Sequence, residues 1–123
     1  MYKLSVTETF SAAHRLCGNQ GACSNLHGHN WKVRVGLQAE QVDELGLALD
    51  FSVIKNHLQT VLQELDHAYL NELPAFQKRN PSSENLARYI FERLEAALGD
   101  GPASVCEVEV CESERSSVVY SHA

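Results

Sequence analysis

Tyr2, Leu4, Val6, Phe10, Ala12 and His14 share one parity, interrupted by Glu8, and this alternation predicts a long strand with one buried face. Residues 17–26 read as loop, marked by Gly18-Asn19-Gln20-Gly21 and Ser24-Asn25. From His29 to Glu40 the alternation is clean: Trp31, Val33, Val35, Leu37 and Ala39 face one way, Lys32, Arg34, Gln38 and Glu40 the other. That is a second strand with a solvated face. The period then lengthens. Phe51, Ile54, Leu58, Val61, Leu62 and Leu65 recur at three and four, the stripe of a helix capped by Asp50 or Ser52 and ending near Asp66-His67. After Pro74 and Asn80-Pro81, Ser82 is placed to cap a second helix, with Leu86, Ile90, Leu94 and Ala97 buried and Gly99 as its stop. Cys106, Val108 and Val110 alternate within 104–112 and are expected on the buried face of a strand, with Cys111 on the opposite parity, and a short strand over 118–121 ends the chain. The order β-β-α-α-β-β predicts an α+β fold, a four-stranded antiparallel sheet with two helices on one face. Such a sheet has two open edges, which assembly would hide.

Composition narrows the class. A chain of 123 residues suits one domain, residues 1–123. Its 44% hydrophobic content and 21% charged content are those of a globular protein. A net charge of −6 repels phosphate backbones and argues against a nucleic-acid partner. The N-terminal residues lack the apolar core of a signal peptide, and no apolar run reaches membrane length, so a soluble cytoplasmic protein is expected. In that reducing compartment the four cysteines, Cys17, Cys23, Cys106 and Cys111, are expected as free thiols rather than two disulfides.

The chemistry concentrates in Cys23-Ser24-Asn25-Leu26-His27-Gly28-His29. His27 and His29 are two apart at the start of a strand and point to one face, the face of Trp31 and Val33. His14 ends the first strand on its apolar parity, and a hairpin would bring it alongside them. Three neutral imidazoles with an open position make a catalytic zinc site. A metal also lowers the pKa of a neighbouring thiol, which makes Cys23 a candidate base or nucleophile. The other reading of Cys23 is a fourth zinc ligand in a structural site. Asp66 is placed to hold His67 in one tautomer, or His67 merely caps its helix. Glu112 continues the parity of Val108 and Val110; it is either solvated past the strand end or aimed inward at a ligand with paired N–H donors, such as the amino-pyrimidinone edge of a pterin.

Five ordered motifs carry a resemblance: Phe10-Ser11-Ala12-Ala13-His14-Arg15-Leu16, Cys23-x-x-Leu26-His27-Gly28-His29-Asn30, Leu65-Asp66-His67-x-x-Leu70-Asn71, Asn80-Pro81-Ser82-Ser83-Glu84-Asn85 and Cys111-Glu112-Ser113. Together they resemble the 6-pyruvoyl-tetrahydropterin synthase family across essentially the whole chain, and most closely its bacterial carboxy-forming, queuosine-pathway branch. The resemblance implies the tunnelling fold, in which subunits join their sheets into a barrel as trimers or hexamers with active sites between subunits. It implies His14, His27 and His29 as zinc ligands, Cys23 as the catalytic thiol, Asp66 and His67 as the remaining proton-transfer group, and Glu112 as the anchor of the pterin ring. The implied reaction is a lyase conversion of 7,8-dihydroneopterin triphosphate to 6-carboxy-5,6,7,8-tetrahydropterin with loss of acetaldehyde and triphosphate. The alternatives are 6-pyruvoyl formation without side-chain cleavage and a zinc- and pterin-binding module without turnover. Arg15, Lys78 and Arg115 are the cations available to the triphosphate.

Overall fold

The structure is a computed structural model and describes residues 1–18 and 23–122. Four strands, β1 (Tyr2–His14), β2 (His27–Ala39), β3 (Ser104–Ser113) and β4 (Ser116–Tyr120), form one antiparallel sheet in the order β1-β2-β3-β4. Two helices, α1 (Phe51–Gln63) and α2 (Ser83–Leu98), pack on one face of it, α1 against β1 and α2 against β3 and β4. This is the expected β-β-α-α-β-β architecture.

Each helix starts where a side chain can satisfy its first free N–H. Asp50 accepts from the Ser52 amide and Ser82 from the Asn85 amide, and each such cap stabilises by about 1 kcal/mol. α2 stops at Gly99, whose φ of 55° suits glycine, and whose amide bonds back to the Glu95 carbonyl. The apolar stripes, Ile54, Leu58, Val61 and Leu62 on α1 and Leu86, Ile90, Phe91 and Leu94 on α2, close over Val6, Phe10, Trp31, Val33, Val35, Leu37, Val108 and Val110. Among the described residues no helix is long and apolar enough to cross a membrane.

Three details depart from the sequence reading. β2 starts at His27 rather than His29, so both histidines are paired strand residues. The register of β2 and β3 shifts between Gly36 and Leu37, and this bulge exchanges the faces of β3. Val105 therefore takes the buried position expected for Cys106, which is only half-buried. A Cβ on Gly36 would come within 2.9 Å of Glu107 Cγ, so the close approach at the bulge favours glycine. Finally, α1 ends at Gln63, and the following turn carries Leu65 into the core before two short 3-10 turns, Leu70–Glu72 and Pro74–Phe76.

Beyond His14 the chain leaves the sheet but keeps strand-like bonding. Arg15 donates its amide to Asn71 Oδ1 at 3.0 Å and accepts from Asn71 Nδ2 at 2.9 Å. Cys17 is bonded in the same way to Asn80, at 2.8 and 2.9 Å. A carboxamide carries one donor group and one acceptor, as a peptide does. Each asparagine thus stands in for one residue of a neighbouring strand. Part of the expected 17–26 loop, residues 19–22, lies outside the described residues.

Candidate metal centre and active site

His14 and His27 are the last cross-strand pair of the β1–β2 hairpin, and His29 stands opposite Ala12 two residues further in. All three imidazoles project from the face that carries Phe10 and Trp31, because side chains at even spacing share a face. Their ring centroids lie 4.6, 4.8 and 5.2 Å apart. Trp31 forms the floor, edge-on to both His14 and His29 at 5.0 Å and stacked on Phe10 at 5.9 Å. Its indole N–H donates to the Ala12 carbonyl. The sheet end is thereby rigid beneath the ligands.

The tautomers follow from the carbonyls around the rings. His14 Nδ1 lies 2.7 Å from the Pro81 carbonyl oxygen, and His27 Nδ1 lies 2.8 Å from the Asn25 carbonyl oxygen. A carbonyl only accepts, so both Nδ1 atoms carry the proton and both Nε2 atoms present lone pairs. Those two Nε2 atoms face each other at 3.0 Å. Two lone pairs at that distance repel unless a cation lies between them. His29 Nε2 is buried and has no hydrogen-bond partner; the Glu112 carboxylate is 3.0 Å away but not aligned with the ring to receive a hydrogen bond. Burial holds the His29 pKa below its ordinary 6.5, and the neighbouring imidazoles add to this while Glu112 opposes it. A neutral ring is what a metal ligand requires.

The ligand atoms of His14, His27, His29 and Glu112 lie within 4.8 Å of one another. Nitrogens bound at about 2.0–2.1 Å to a tetrahedral ion stand roughly 3.3 Å apart, so this donor set fits a divalent metal with little movement. The carbonyls of Pro81 and Asn25, bonded to the outer nitrogens of His14 and His27, orient the rings as such sites need.

Glu112 is a strand residue rather than a solvated tail, since β3 runs on to Ser113. Besides lying near His29 it accepts from Ser83 Oγ at 3.3 Å. The carboxylate beside the three imidazoles is thus Glu112, placed to meet an ion there or a molecule bound next to it. The expectation of free thiols fails for two of the four cysteines. Cys17 and Cys23 are joined in a disulfide, while Cys106 and Cys111 are free. The reason is local. The loop neck is closed by Ser24 N–H to the Leu16 carbonyl and Leu16 N–H to Ser24 Oγ, which sets Cys17 and Cys23 as facing residues of an antiparallel bridge. In this state Cys23 offers no thiolate, and the sequence reading of it as a base or ligand holds only for a reduced form.

Asp66 and His67 occupy the outer edge of β1. The Ser11 amide donates to Asp66 Oδ1 at 2.9 Å, and the Ser11 carbonyl accepts from the His67 amide. That amide bond from Ser11, together with His67, holds the Asp66 pKa below the usual carboxylate range. Asp66 Oδ2 lies 3.0 Å from His67 Nδ1, which leaves Nε2 facing outward on a side chain that is 82% exposed. His67 adopts φ 58°, the left-handed region, unusual outside glycine and found at functional turns. The Asp66 amide also donates to the Leu62 carbonyl at 2.8 Å, so the pair is bonded to Ser11, to the end of α1 and to each other. His67 shares with His29 an open depression of about 480 Å³, also lined by Ser11, Gly28, Asn30 and Tyr69. Arg115 stands in the β3–β4 turn, at the end of the sheet where Glu112 lies.

Sequence reasoning had not assigned roles to the carbonyls of Asn25 and Pro81, the Ser83 hydroxyl, or Asn71 and Asn80. Their signal is present in part, because all five lie inside the Leu65–Asn71 and Asn80–Asn85 motifs or within Cys23–Asn30, but backbone acceptors carry no residue-type signature.

Comparison with known proteins agrees with this arrangement. The sequence profile of the family described as 6-pyruvoyl tetrahydropterin synthase matches residues 3–123. The chain is 39% identical over 110 residues to a Synechocystis 6-carboxy-5,6,7,8-tetrahydropterin synthase, covering 85% of this chain and 84% of the relative. It is 30% identical over 129 residues to a Dictyostelium discoideum 6-pyruvoyl tetrahydrobiopterin synthase, covering 95% and 93%. Among solved structures, the Caenorhabditis elegans 6-pyruvoyl tetrahydropterin synthase superposes with a TM-score of 0.87 at 28% identity, over 99% of this chain and 96% of that one. A hairpin end bearing three imidazoles, a matching profile over nearly the full length and a shared fold have one common explanation: the chain belongs to the 6-pyruvoyl tetrahydropterin synthase family.

Proposed function

We propose that this protein is a zinc-dependent synthase that converts 7,8-dihydroneopterin triphosphate and water to 6-carboxy-5,6,7,8-tetrahydropterin, acetaldehyde and triphosphate, as a lyase of queuosine and 7-deazaguanine biosynthesis in the cytoplasm. The observation that carries this reading is the set of three imidazoles that converge at the end of the hairpin, the Nε2 atoms of His14 and His27 facing each other and that of His29 buried without a hydrogen-bond partner. The name of the Synechocystis relative supports the carboxy-forming branch.

His14, His27 and His29 would hold the ion, and when bound it supplies Lewis acidity toward the side-chain hydroxyls of the substrate. Reduced Cys23, four residues before His27, removes the proton from the side-chain carbon next to the ring. His67 is the second acid-base group, and Asp66 keeps its Nδ1 protonated and stabilises the imidazolium when Nε2 takes a proton. Glu112, steadied by Ser83, receives the adjacent N–H groups of the amino-pyrimidinone edge. Arg15, Lys78 and Arg115 are the cations available to the triphosphate. In this reading chains assemble as trimers or hexamers through the open edges of β1 and β4, and Cys23 meets the Asp66–His67 pair across an interface. The 82% exposure of the His67 side chain within one chain supports this.

The test is to incubate the reduced, zinc-loaded protein with 7,8-dihydroneopterin triphosphate and identify products by mass spectrometry. Carboxy-tetrahydropterin with acetaldehyde is the expected outcome. A 6-pyruvoyl product would move the chain to the branch of its Dictyostelium and C. elegans relatives. Bound zinc and pterin without turnover would leave a binding module. Cys23→Ala separates the roles of the thiol: zinc is expected to stay while turnover is lost, and loss of zinc would make Cys23 a ligand instead.

A further inference from the structure

The pairing of Cys23 has no place in the reaction proposed above, which needs that sulfur as a thiolate. Its partner, Cys17, is used by nothing in the site. A structural staple is a poor account of the bond. The disulfide spans a sequence separation of only six, and cross-links that close short loops constrain the unfolded chain least. The neck of this loop is already closed by the Leu16–Ser24 bonds, and Cys17 is held from the other side by both polar groups of Asn80. What that scaffold does is hold two sulfurs within bonding reach, one of them four residues from a metal ligand. The other two cysteines sit half-buried on β3 and are not paired. Disulfides that form inside reducing compartments are mostly transient, serving catalysis or redox sensing.

We propose that Cys17 and Cys23 form a site of reversible thiol oxidation, with Cys17 as the resolving thiol, that switches the synthase off and shields Cys23 from irreversible oxidation. The inference rests on the proposed function in giving Cys23 its catalytic task and in placing the protein in a reducing compartment. With hydrogen peroxide as oxidant, the Cys23 thiolate attacks one peroxide oxygen, the O–O bond breaks, and sulfenic acid and hydroxide form, the hydroxide taking up the proton Cys23 gave up to become water. The Cys17 thiolate then attacks the Cys23 sulfur; the S–S bond forms, the S–O bond breaks, and the hydroxyl leaves as water with the proton Cys17 gave up. In sum, two thiols lose two electrons and two protons, and the peroxide becomes two waters. A dithiol reverses the change by exchange through a mixed disulfide, itself becoming oxidised.

The zinc-loaded full chain is reduced, freed of reductant, exposed to hydrogen peroxide, alkylated and mapped without reduction, with turnover followed in parallel. The expected map contains one cross-linked peptide joining Cys17 to Cys23, with Cys106 and Cys111 alkylated, and turnover that is lost with its appearance and restored in full by dithiothreitol. Cys17→Ser is expected to match the wild type when reduced, but its peroxide inactivation should not be reversed by dithiothreitol, and Cys23 should be recovered as sulfinic acid. Cys23 paired with another cysteine, or left unpaired in the oxidised wild type, overturns the proposal. So does a Cys17→Ser variant that recovers as fully as the wild type. If the reduced wild type shows no turnover at all, the functional reading fails, while the wild-type map alone still upholds or overturns the reversible 17–23 bond.

Discussion

The inward face of the β1–β2 hairpin has two regions made to one pattern. Over most of its length the inward positions are Val6, Phe10, Leu37, Val35 and Val33, each nearly or wholly buried under the helices. At one end the same parity carries His14, His27 and His29. The backbone geometry is the same in both; only the cover differs. Where α1 and α2 lie over the strands, an inward side chain must be apolar, because a polar one would lack partners. Where α2 begins, its entry segment instead offers the Pro81 carbonyl and the Ser83 hydroxyl, and the inward direction becomes a way to aim polar groups at a common point. Trp31 is the boundary, with Phe10 on one side and two imidazoles on the other.

The comparison can be broken most forcefully at its polar end. His27→Ala removes one converging lone pair. Metal affinity should fall by more than the roughly 10–100-fold typical of changing only a group hydrogen-bonded to a ligand, and turnover should go with it. The metal-free protein should unfold within about 0.5 kcal/mol of wild type, because the side chain is exposed. Metal titration and denaturant unfolding of the same samples read both. A large loss of stability in the apo variant would mean the two regions are not separable.

The apolar end sharpens the contrast. Leu37→Ala, at a fully buried position, should cost about 2–5 kcal/mol while each folded molecule still binds metal as before. Trp31→Ala should cost about 3–5 kcal/mol and also weaken metal binding, since it removes the floor under His14 and His29. Equal metal affinity in the two variants would remove Trp31 from the boundary.

The smallest effect concerns the turn at the β1 edge. His67→Gly relieves a left-handed φ that suits glycine, and should raise stability by roughly 0.5–1 kcal/mol while lowering turnover. Thermal unfolding and kcat taken together test this trade. A variant both less stable and fully active would refute it.

The apolar region was legible in the sequence because burial imposes periodicity: Trp31-Val33-Val35-Leu37 and Ile54-Leu58-Val61-Leu62 announce their faces without help. The three histidines were legible for the same reason, being continuations of strand parity. Cys106 was misread because a bulge at Gly36 and Leu37 resets the parity of β3, and nothing in Cys106-Glu107-Val108 marks that reset. The Cys17–Cys23 bond is not legible in the sequence, because the absence of a signal segment argues only about compartment. Proximity was the missing information, and it depends on Ser24 and Asn80 closing the loop from two sides. The Asp66–His67 pair was readable as a dipeptide, but its seat on Ser11 is a contact 55 residues away in sequence.

The two asparagines that stand in for strand neighbours also bear on how the molecule ages. Asparagine side chains decay chiefly when the next residue's backbone nitrogen attacks the carboxamide, closing a five-membered imide that reopens as an acid. An acid at Asn80 would lose the donor that Cys17 needs and set a negative charge against the Cys17 carbonyl. The residue after Asn80 is Pro81, whose nitrogen carries no hydrogen and so does not start that ring closure. The same proline thus lends its carbonyl to His14 and preserves the amide beside it, so the clamp on Cys17 is protected from the slow chemistry that wears out asparagine elsewhere.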